Sequence, residues 1–266
     1  MKKITLVGGD RRMKILKESL SSAGYFVDTI GLFENDNGNI ATSQIVVLPV
    51  PTTKDKKTVF CPITNREIPL SYIEENTKNH QLILCCNHLF ENRNCIDYGA
   101  LDSYALLNAV PTAEGAIKIA IEQTPYTLWR SKVLVIGYGR VGKILANRLM
   151  AMGCDVTVSA RKPAHFAILD ALGFKTAQTE KLSLLPLDYD IIFNTVDIKV
   201  IEDHALKTLK CDLLVDLSSL GGFNLELAKA LNINAIKALG LPSIIAPKTA
   251  AEILCKTVLH VIDSHN

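Results

Sequence analysis

A glycine motif between an apolar strand and an amphipathic helix limits the fold of this chain more tightly than any other segment. VLVIGYGRVG places Gly137, Gly139 and Gly142 in the pattern GxGxxG, and the helical pattern VGKILANRLMAMG follows. In that context the first glycine allows a tight turn, the second lets the backbone approach a diphosphate, and the third allows close helix-on-strand packing. The motif predicts a Rossmann dinucleotide-binding domain, with Arg140 and Val141 beside the diphosphate at the helix N-terminus.

The residues after the next predicted strand indicate which dinucleotide binds. An NAD-specific domain carries Asp or Glu about 20 residues after the first glycine, where it binds the ribose 2′-hydroxyl. Here the strand DVTVSA contains Ser159 and is followed by Arg161 and Lys162. A hydroxyl and a guanidinium can bind a 2′-phosphate that a carboxylate would repel. We predict NADP as the cofactor, with Ser159 and Arg161 at the phosphate; the alternative is that Arg161 and Lys162 are solvated loop charges.

Two further polar loops follow predicted strands of the same domain. Thr195 follows the strand DIIF, and Ser218 follows the strand LLV. Loops at the carboxyl ends of parallel strands line the ligand crevice of open α/β sheets. We predict that both residues contact the nicotinamide half of the cofactor, with ordinary polar loop chemistry as the alternative.

Strand-like and helix-like segments alternate in two series along the chain. Strands are predicted at 4–9, 25–30, 44–50 and 81–86, and again at 132–139, 155–160, 190–196, 212–218 and 233–239. Alternation of this kind predicts parallel sheets covered by helices. The proline-punctuated segment 51–70 is predicted to be a loop or short hairpin.

Two helices belong to neither series and predict the domain organisation. One is expected at 111–125, started by Pro111, and the other at 247–265. They predict two domains joined by crossing helices, with a ligand cleft at the hinge. The fold class is therefore α/β, with two doubly wound parallel-sheet domains: a flavodoxin-like substrate or partner domain at 1–108 plus 245–266, and a Rossmann domain at 109–244.

Composition argues against several other classes of protein. The 266 residues are 48% hydrophobic and 21% charged, with a net charge of +2 and scattered basic residues. Such a chain favours neither disorder nor nucleic-acid binding. No apolar run approaches the roughly 18 residues of a membrane span, and MKKITLVGG suits a buried strand better than a signal peptide. We expect a cytoplasmic protein.

The cysteine and histidine patterns do not suggest a metal site. The seven cysteines include no CxxC pair, and the six histidines show neither HxxxH nor HExxH spacing. In a reducing compartment such cysteines are mostly small buried hydrophobic residues. We therefore predict no bound metal.

Five segments together resemble the family of A-type subunits of dipicolinate synthase. They are GGDRR at 8–12, NAVPTAEGAIKIAIEQT at 108–124, VLVIGYGRVGKILA at 133–146, VSAR at 158–161 and GLPSIIAPKTAAEIL at 240–254. Many dehydrogenases share the glycine segment, whereas PTAEGAI and GLPxxxAPKTA are far more specific, and the match extends over nearly the whole chain. The chain departs from the family at Ser218–Gly222, where a proline and a bulkier basic residue are expected before the glycine pair.

The resemblance implies both a reaction and a partner. It implies an enzyme that makes dipicolinic acid during bacterial sporulation, from a dihydrodipicolinate-type precursor, together with the flavoprotein-like B-type subunit of dipicolinate synthase. It also implies a two-domain plan like that of D-2-hydroxyacid dehydrogenases, and we expect a homo-oligomer.

Chemistry of this kind suggests candidate site residues. Aromatising a dihydropyridine removes a hydride and a proton, so a nicotinamide acceptor and one acid–base group would suffice. A substrate with two carboxylates calls for cations and a helix N-terminus, for which the candidates are Arg11, Arg12, the helix start at Thr112, and Lys248. The candidate proton acceptors are Asp10, Glu114 and His88. Each has a structural alternative, such as a solvated first-turn arginine or an acid that favours the helix dipole.

The sequence also allows two other functions. A 2-hydroxyacid or alanine dehydrogenase would share the two-domain plan, but the spaced Arg, Glu and His set of a hydroxyacid enzyme is not found. The other function is that of a non-catalytic regulatory subunit that binds NADP.

Overall fold

The computed structural model describes residues 2–87, 89–90 and 93–265. The chain folds into two compact units, one formed by Met1–Asn108 with Pro242–Asn266 and the other by Ala109–Leu241. Each unit is an α/β sandwich around its own parallel sheet.

The first unit is built on a five-stranded parallel sheet. Its elements are β1 (Lys3–Val7), α1 (Arg11–Ser22), β2 (Phe26–Ile30), a 3₁₀ turn (Ile40–Thr42), β3 (Ile45–Val47), α2 (Leu70–Asn76), β4 (Leu82–Cys85), β5 (Cys95–Asp97) and, at the chain end, α9 (Pro247–Ser264). The strand order is β2-β1-β3-β4-β5. Leu6 and Leu16 pack with Val258 on one face of the sheet, and Val46 packs with Ile73 on the other.

The second unit is built on a six-stranded parallel sheet. Its elements are β6 (Lys132–Ile136), α4 (Arg140–Ala151), β7 (Asp155–Ala160), α5 (Pro163–Ala171), β8 (Lys175–Gln178), a 3₁₀ helix (Thr179–Leu184), β9 (Ile191–Asn194), α6 (Asp203–Leu206), β10 (Leu213–Asp216), α7 (Leu225–Ala230) and β11 (Ala235–Lys237). The strand order is β11-β10-β9-β6-β7-β8. The central strands β6, β9 and β10 are mostly apolar because both faces of the sheet are covered.

Two helices span the boundaries between the units in sequence, α3 (Asp102–Gln123) and α8 (Leu241–Ile245). The sequence prediction that Pro111 starts a helix is wrong, because α3 begins at Asp102 and Pro111 lies inside it. A proline removes one helical hydrogen bond, but the buried side chains of Tyr104, Ala109 and Ala113 on the helix hold it together on both sides of the proline.

Other differences from the predicted elements are small. β5 and β8 were not expected; β5 has three residues, and β8 is mostly exposed and lacks an apolar pattern. The segment 51–70 is irregular and is closed by an antiparallel bridge between Thr58 and Pro69, as a short hairpin would be. No helix in the described part of the chain combines the length and apolar character needed to span a bilayer.

Candidate cofactor site

The glycine motif forms a tight turn between β6 and α4. β6 ends at Ile136, and Gly137 follows with φ of +101°, a conformation that favours glycine. The backbone N–H of Gly137 donates to Ser159 O at 3.1 Å. Gly139 is the N-cap of α4 and forms no side-chain cap, so no cap side chain fills the space at the helix N-terminus where an anion would bind.

The space around the three glycines distinguishes two that are closely packed from one that faces open space. A Cβ on Gly137 would lie 2.5 Å from Val196 Cγ1, and one on Gly142 would lie 2.1 Å from Gly137 O. Around Gly139 a Cβ would meet nothing within 4 Å. A methyl group there would fill only the open side of the turn, where a diphosphate would lie, so the residues present fit a dinucleotide.

Thr195 supports the glycine turn from the neighbouring strand. Its hydroxyl donates to Ile136 O at 2.8 Å, and its Oγ1 would be 2.7 Å from a Cβ on Gly137. The residue is half-buried. Its hydroxyl therefore holds the turn in place, and the contact with the nicotinamide stays a prediction.

Ser159 does not have the accessibility that the sequence analysis assigned to it. The residue is fully buried, at 0% exposure. Its hydroxyl lies 3.0 Å from Thr179 Oγ1 and accepts from the N–H of Gly137 at 3.3 Å. The expectation that Ser159 contacts a ribose phosphate is corrected: its side chain points into the sheet layer, where it helps to fix the glycine turn.

Arg161 and Lys162 occupy the loop directly after β7, at the same sheet edge as the glycine turn. Both side chains are exposed. Within residues 2–87, 89–90 and 93–265, the Arg161 guanidinium has no hydrogen-bonding or ion-pair partner. Arg161 therefore keeps all its donors for a ligand.

Lys143 adds positive charge near the turn and His165 adds an imidazole ring, and neither residue was predicted from the sequence. Tyr138 lies within the glycine motif. The centre of its ring is 5.4 Å from the centre of the His165 ring and 5.2 Å from Lys143 Nζ. Partial burial, Lys143 and Lys162 all lower the pKa of His165 below its usual value. The charges that disfavour a protonated His165 favour a bound anion. Lys143 follows Arg140 by three residues on α4, a spacing that could have indicated it.

A buried carboxylate organises the loops after β9 and β10. Asp216 is 2% exposed. Its oxygens accept hydrogen bonds from Asn194 Nδ2 at 2.8 Å, Ser218 Oγ at 2.6 Å, Lys237 Nζ at 3.1 Å, and the N–H groups of Ser218 at 3.1 Å and Gly222 at 3.3 Å. Ser218 itself is 4% exposed, so the prediction that it contacts the nicotinamide is also corrected. Its hydroxyl shapes the loop.

The Asp216 cluster makes the second unit sensitive to acid. Burial would raise the pKa of Asp216, but hydrogen bonds from Ser218, Asn194 and Lys237 outweigh it and hold the pKa below its usual value. The stabilisation is therefore complete above the unfolded-state pKa of about 3.9 and is lost as the pH falls through the folded-state value.

Replacing Asp216 with asparagine is expected to lower the free energy of unfolding at pH 7 by about 2–4 kcal/mol, because Lys237 loses its counter-charge. The variant should also lose part of its dependence on pH below about pH 4. Urea unfolding at pH 7 and at acid pH measures both effects. Asp155→Asn removes a partly exposed carboxylate paired with Lys175 and serves as control, with an effect below about 1 kcal/mol. Equal stability of the two variants would contradict the prediction.

Asp10 and Arg12 form a largely buried ion pair at the turn from β1 to α1. Asp10 caps α1 by accepting from the N–H of Arg12 at 3.0 Å, and Arg12 Nη2 lies 2.8 Å from Asp10 Oδ2. Arg12 also donates to Val50 O. Burial would lower the pKa of Arg12, but Asp10 outweighs it and the pKa is raised. Arg12 is 6% exposed, so the prediction that it binds substrate is corrected to a structural role.

The other candidates of the first unit differ in accessibility. Arg11 is exposed in the first turn of α1, and Lys248 is exposed in the first turn of α9, as expected. His88 lies outside the residues that the structure describes.

Thr112 and Glu114 do not lie at a helix start. Both are inside α3, so the predicted helix N-terminus at Thr112 is wrong, and no free N–H groups are presented there. Glu114 is exposed and pairs with Arg148, with Nη2 and Oε1 3.1 Å apart. The local sequence around Pro111 predicts a helix start, but burial of α3 side chains against distant parts of the chain extends the helix through the proline.

Known proteins similar to this chain match nearly its full length. A family model described as the N-terminal domain of the A-type subunit of dipicolinate synthase matches residues 3–97. The corresponding dipicolinate synthase subunit of Bacillus subtilis (strain 168), also of the A type, is 32% identical over 96% of this chain and 94% of its own length. The chain belongs to the family of A-type subunits of dipicolinate synthase.

Solved structures agree with this family. The A-type subunits of dipicolinate synthase from Bacillus halodurans and Bacillus subtilis both give a TM-score of 0.86, at 28% and 31% identity. The first match covers 98% of this chain and 97% of that chain, and the second covers 99% and 96%. Apo D-lactate dehydrogenase from Escherichia coli, at 15% identity and a TM-score of 0.63 over 99% of this chain and 96% of that chain, shares the fold alone.

The second unit has the Rossmann-type fold of NAD(P)-binding oxidoreductases. Residues 132–219 match a family model described as NADP oxidoreductase, coenzyme F420-dependent. The predicted fold class, two parallel-sheet α/β domains with a Rossmann-like second domain, is confirmed.

The loop that departs from the family pattern has its own support. Asp197 Oδ1 accepts from the N–H groups of Ser219 at 2.6 Å and Leu220 at 3.2 Å. Gly222 packs so closely that a Cβ there would lie 2.2 Å from Asn194 Nδ2. The carboxylates of Asp197 and Asp216 thus hold this loop without the expected proline.

Among the described residues, no group of three His, Cys, Asp or Glu side chains could hold a metal ion.

Proposed function

We propose that this chain is the NADP(H)-binding subunit of an enzyme that oxidises a dihydrodipicolinate-type substrate to dipicolinate. The observation that carries the proposal is the full-length relationship to the dipicolinate synthase family combined with an open glycine turn. The basic loop after β7 supports the choice of NADP, because Arg161 offers unpaired donors where a 2′-phosphate would lie.

The residues of the second unit would bind and orient the cofactor. The N–H groups at the start of α4 would hold the diphosphate beside Gly139, with Arg140 and Val141 in the same first turn. Arg161 would bind the 2′-phosphate, with Lys162 and Lys143 adding positive charge. A bound nicotinamide supplies a hydride acceptor. Ser159, Thr195 and Ser218 act indirectly in this proposal, by fixing the loops that the cofactor touches.

The first unit is proposed to supply groups for the substrate. Arg11 and Lys248 are exposed cations in the first turns of α1 and α9, suited to the two carboxylates. Asp10 and Glu114 each already form an ion pair with an arginine, so accepting a proton would weaken that ion pair. We retain His88 as the proposed proton acceptor because imidazole accepts protons near neutral pH.

The family name also suggests an assembly and a setting. We propose that the flavoprotein-like B-type subunit of dipicolinate synthase works with this chain in the cytoplasm of sporulating cells, and that this chain forms a homo-oligomer. The relative from Bacillus subtilis is named as one of the subunits of a synthase, which supports a partner for this chain.

An assay with the partner subunit tests the proposed reaction. The chain, the partner and an enzyme that generates dihydrodipicolinate are expected to raise the ultraviolet absorbance of dipicolinate only when NADP⁺ is present. Arg11→Ala and Lys248→Ala should raise the substrate KM roughly 10-fold or more each, through the loss of a charge-assisted contact. Turnover of simple 2-hydroxy acids would instead support a hydroxyacid dehydrogenase. Cofactor binding without turnover, with or without the partner, would support a regulatory role.

A further inference from the structure

Two thiols of the first unit lie close enough to react with each other. Cys85 ends β4 and Cys95 begins β5, and their Sγ atoms are 2.9 Å apart. Both are free thiols. A disulfide bond is about 2.05 Å long, so the sulfurs would need to approach by only about 0.9 Å to bond.

The sheet register places both thiols on one face and the adjacent cysteine on the other. β4 and β5 are parallel, with Ile83 opposite Cys95 and Cys85 opposite Asp97. Residues two apart on a strand share a face, and both thiols border the apolar cluster that contains Ile83. Cys86 packs into the cluster on the opposite face. Cys86 is therefore poorly placed to compete for either thiol.

The position of β5 allows the sulfurs to approach and a reagent to enter. β5 has three residues and is the last strand in the sheet order, so it has a neighbour on one side. Because a short edge strand is held by few ladder hydrogen bonds, we expect β5 to take up the approach of about 0.9 Å that the bond requires. Cys95 is half-buried and Cys85 is fully buried, so a small oxidant meets Cys95 first.

We propose that Cys85 and Cys95 are a modification site at which a peroxide forms a reversible intrachain disulfide. The sulfur of Cys95 attacks a peroxide oxygen, the O–O bond breaks, and Cys95 becomes a sulfenic acid as one water leaves. The sulfur of Cys85 then attacks the sulfur of Cys95, and the S–O bond breaks. The departing oxygen leaves as a second water with the proton of Cys85. Two thiols are oxidised by two electrons, and the peroxide is reduced to water.

The bond would join the two ends of the segment that carries His88 in sequence. Two hydrogen bonds hold the backbone just after Cys85: the N–H of Cys86 donates to Thr52 Oγ1, and the N–H of Asn87 donates to Asp97 Oδ2, each at 2.8 Å. The disulfide does not depend on the proposed function, because it follows from the position of the two sulfurs alone.

Peptide mapping of the oxidised full-length chain tests the site. The reduced protein is treated with hydrogen peroxide, its remaining thiols are blocked with N-ethylmaleimide, and the digest is analysed by mass spectrometry. We expect the thiol count to fall from the seven of the reduced chain to five, with one linked peptide pair that joins Cys85 to Cys95. Dithiothreitol should restore all seven thiols.

Two variants complete the test. Cys95→Ser should abolish the linked peptides, whereas Cys211→Ser, which removes another half-buried thiol, should leave them unchanged. The proposal would be overturned if, after peroxide treatment that oxidises Cys211, Cys85 and Cys95 are both recovered as N-ethylmaleimide adducts. It would also be overturned if Cys95 stops at a sulfinic acid, or if either thiol pairs with a different cysteine.

Discussion

Replacing Gly139 with alanine should remove dinucleotide binding and leave the fold intact. Gly139 has φ of −84° and ψ of −161°, which alanine adopts without strain, and a Cβ there meets nothing within 4 Å. The new methyl group would occupy the space proposed for the diphosphate and displace it from the N–H groups of α4. Losing two such charged hydrogen bonds weakens binding by at least about 100-fold. Calorimetric titration with NADPH and urea unfolding measure the two effects.

Gly142→Ala is the comparison variant for the effect on stability. A Cβ on Gly142 would lie 2.1 Å from the backbone oxygen of Gly137, so the turn itself must shift. We expect this variant to lose about 1–3 kcal/mol of unfolding free energy, whereas Gly139→Ala stays within about 1 kcal/mol of the parent. Undiminished NADPH binding by Gly139→Ala would place the cofactor elsewhere.

Replacing Arg161 with alanine should remove the preference for NADPH over NADH. The parent protein is expected to bind NADPH more tightly, because a guanidinium without a partner among the described residues can form charge-assisted hydrogen bonds with the 2′-phosphate. Losing those bonds costs about 1.5–3 kcal/mol, which corresponds to roughly a 10- to 100-fold weaker affinity for NADPH. The affinity for NADH, which lacks the phosphate, should change little. Parallel titrations with both nucleotides provide the measurement.

The control for this variant is another arginine of the same unit. Arg148 is partly exposed and pairs with Glu114, away from the loop after β7 in the sequence. Arg148→Ala should retain the cofactor preference of the parent. Equal affinity of the parent for NADPH and NADH would contradict our interpretation of Arg161, and Arg161 and Lys162 would then be solvated loop charges.

The candidate residues of the site were predictable where their role depends on backbone geometry. The conformation of Gly137, the tight packing of Gly142 and the open side of Gly139 follow from a motif that lies between a strand and a helix. The hydroxyl residues were not predictable in the same way. Ser159 and Ser218 stand at or beside strand ends, as ligand-binding residues do, but both face the interior. A strand end locates a residue along the sheet without specifying which way its side chain points.

The amino-acid sequence was sufficient for the fold class and the Rossmann-like domain, because these depend on periodicity and local backbone requirements that neighbouring residues encode. It was also sufficient for the family, through the resemblance of five segments to known members. The folded chain was needed for contacts between distant segments. These include the burial of Arg12 against Asp10 and Val50, the extension of α3 through Pro111, the Asp216 cluster, and the approach of Cys85 to Cys95. Each depends on which side chains the sheet order and register bring together, and those partners are too far apart in the sequence for a local pattern to reveal.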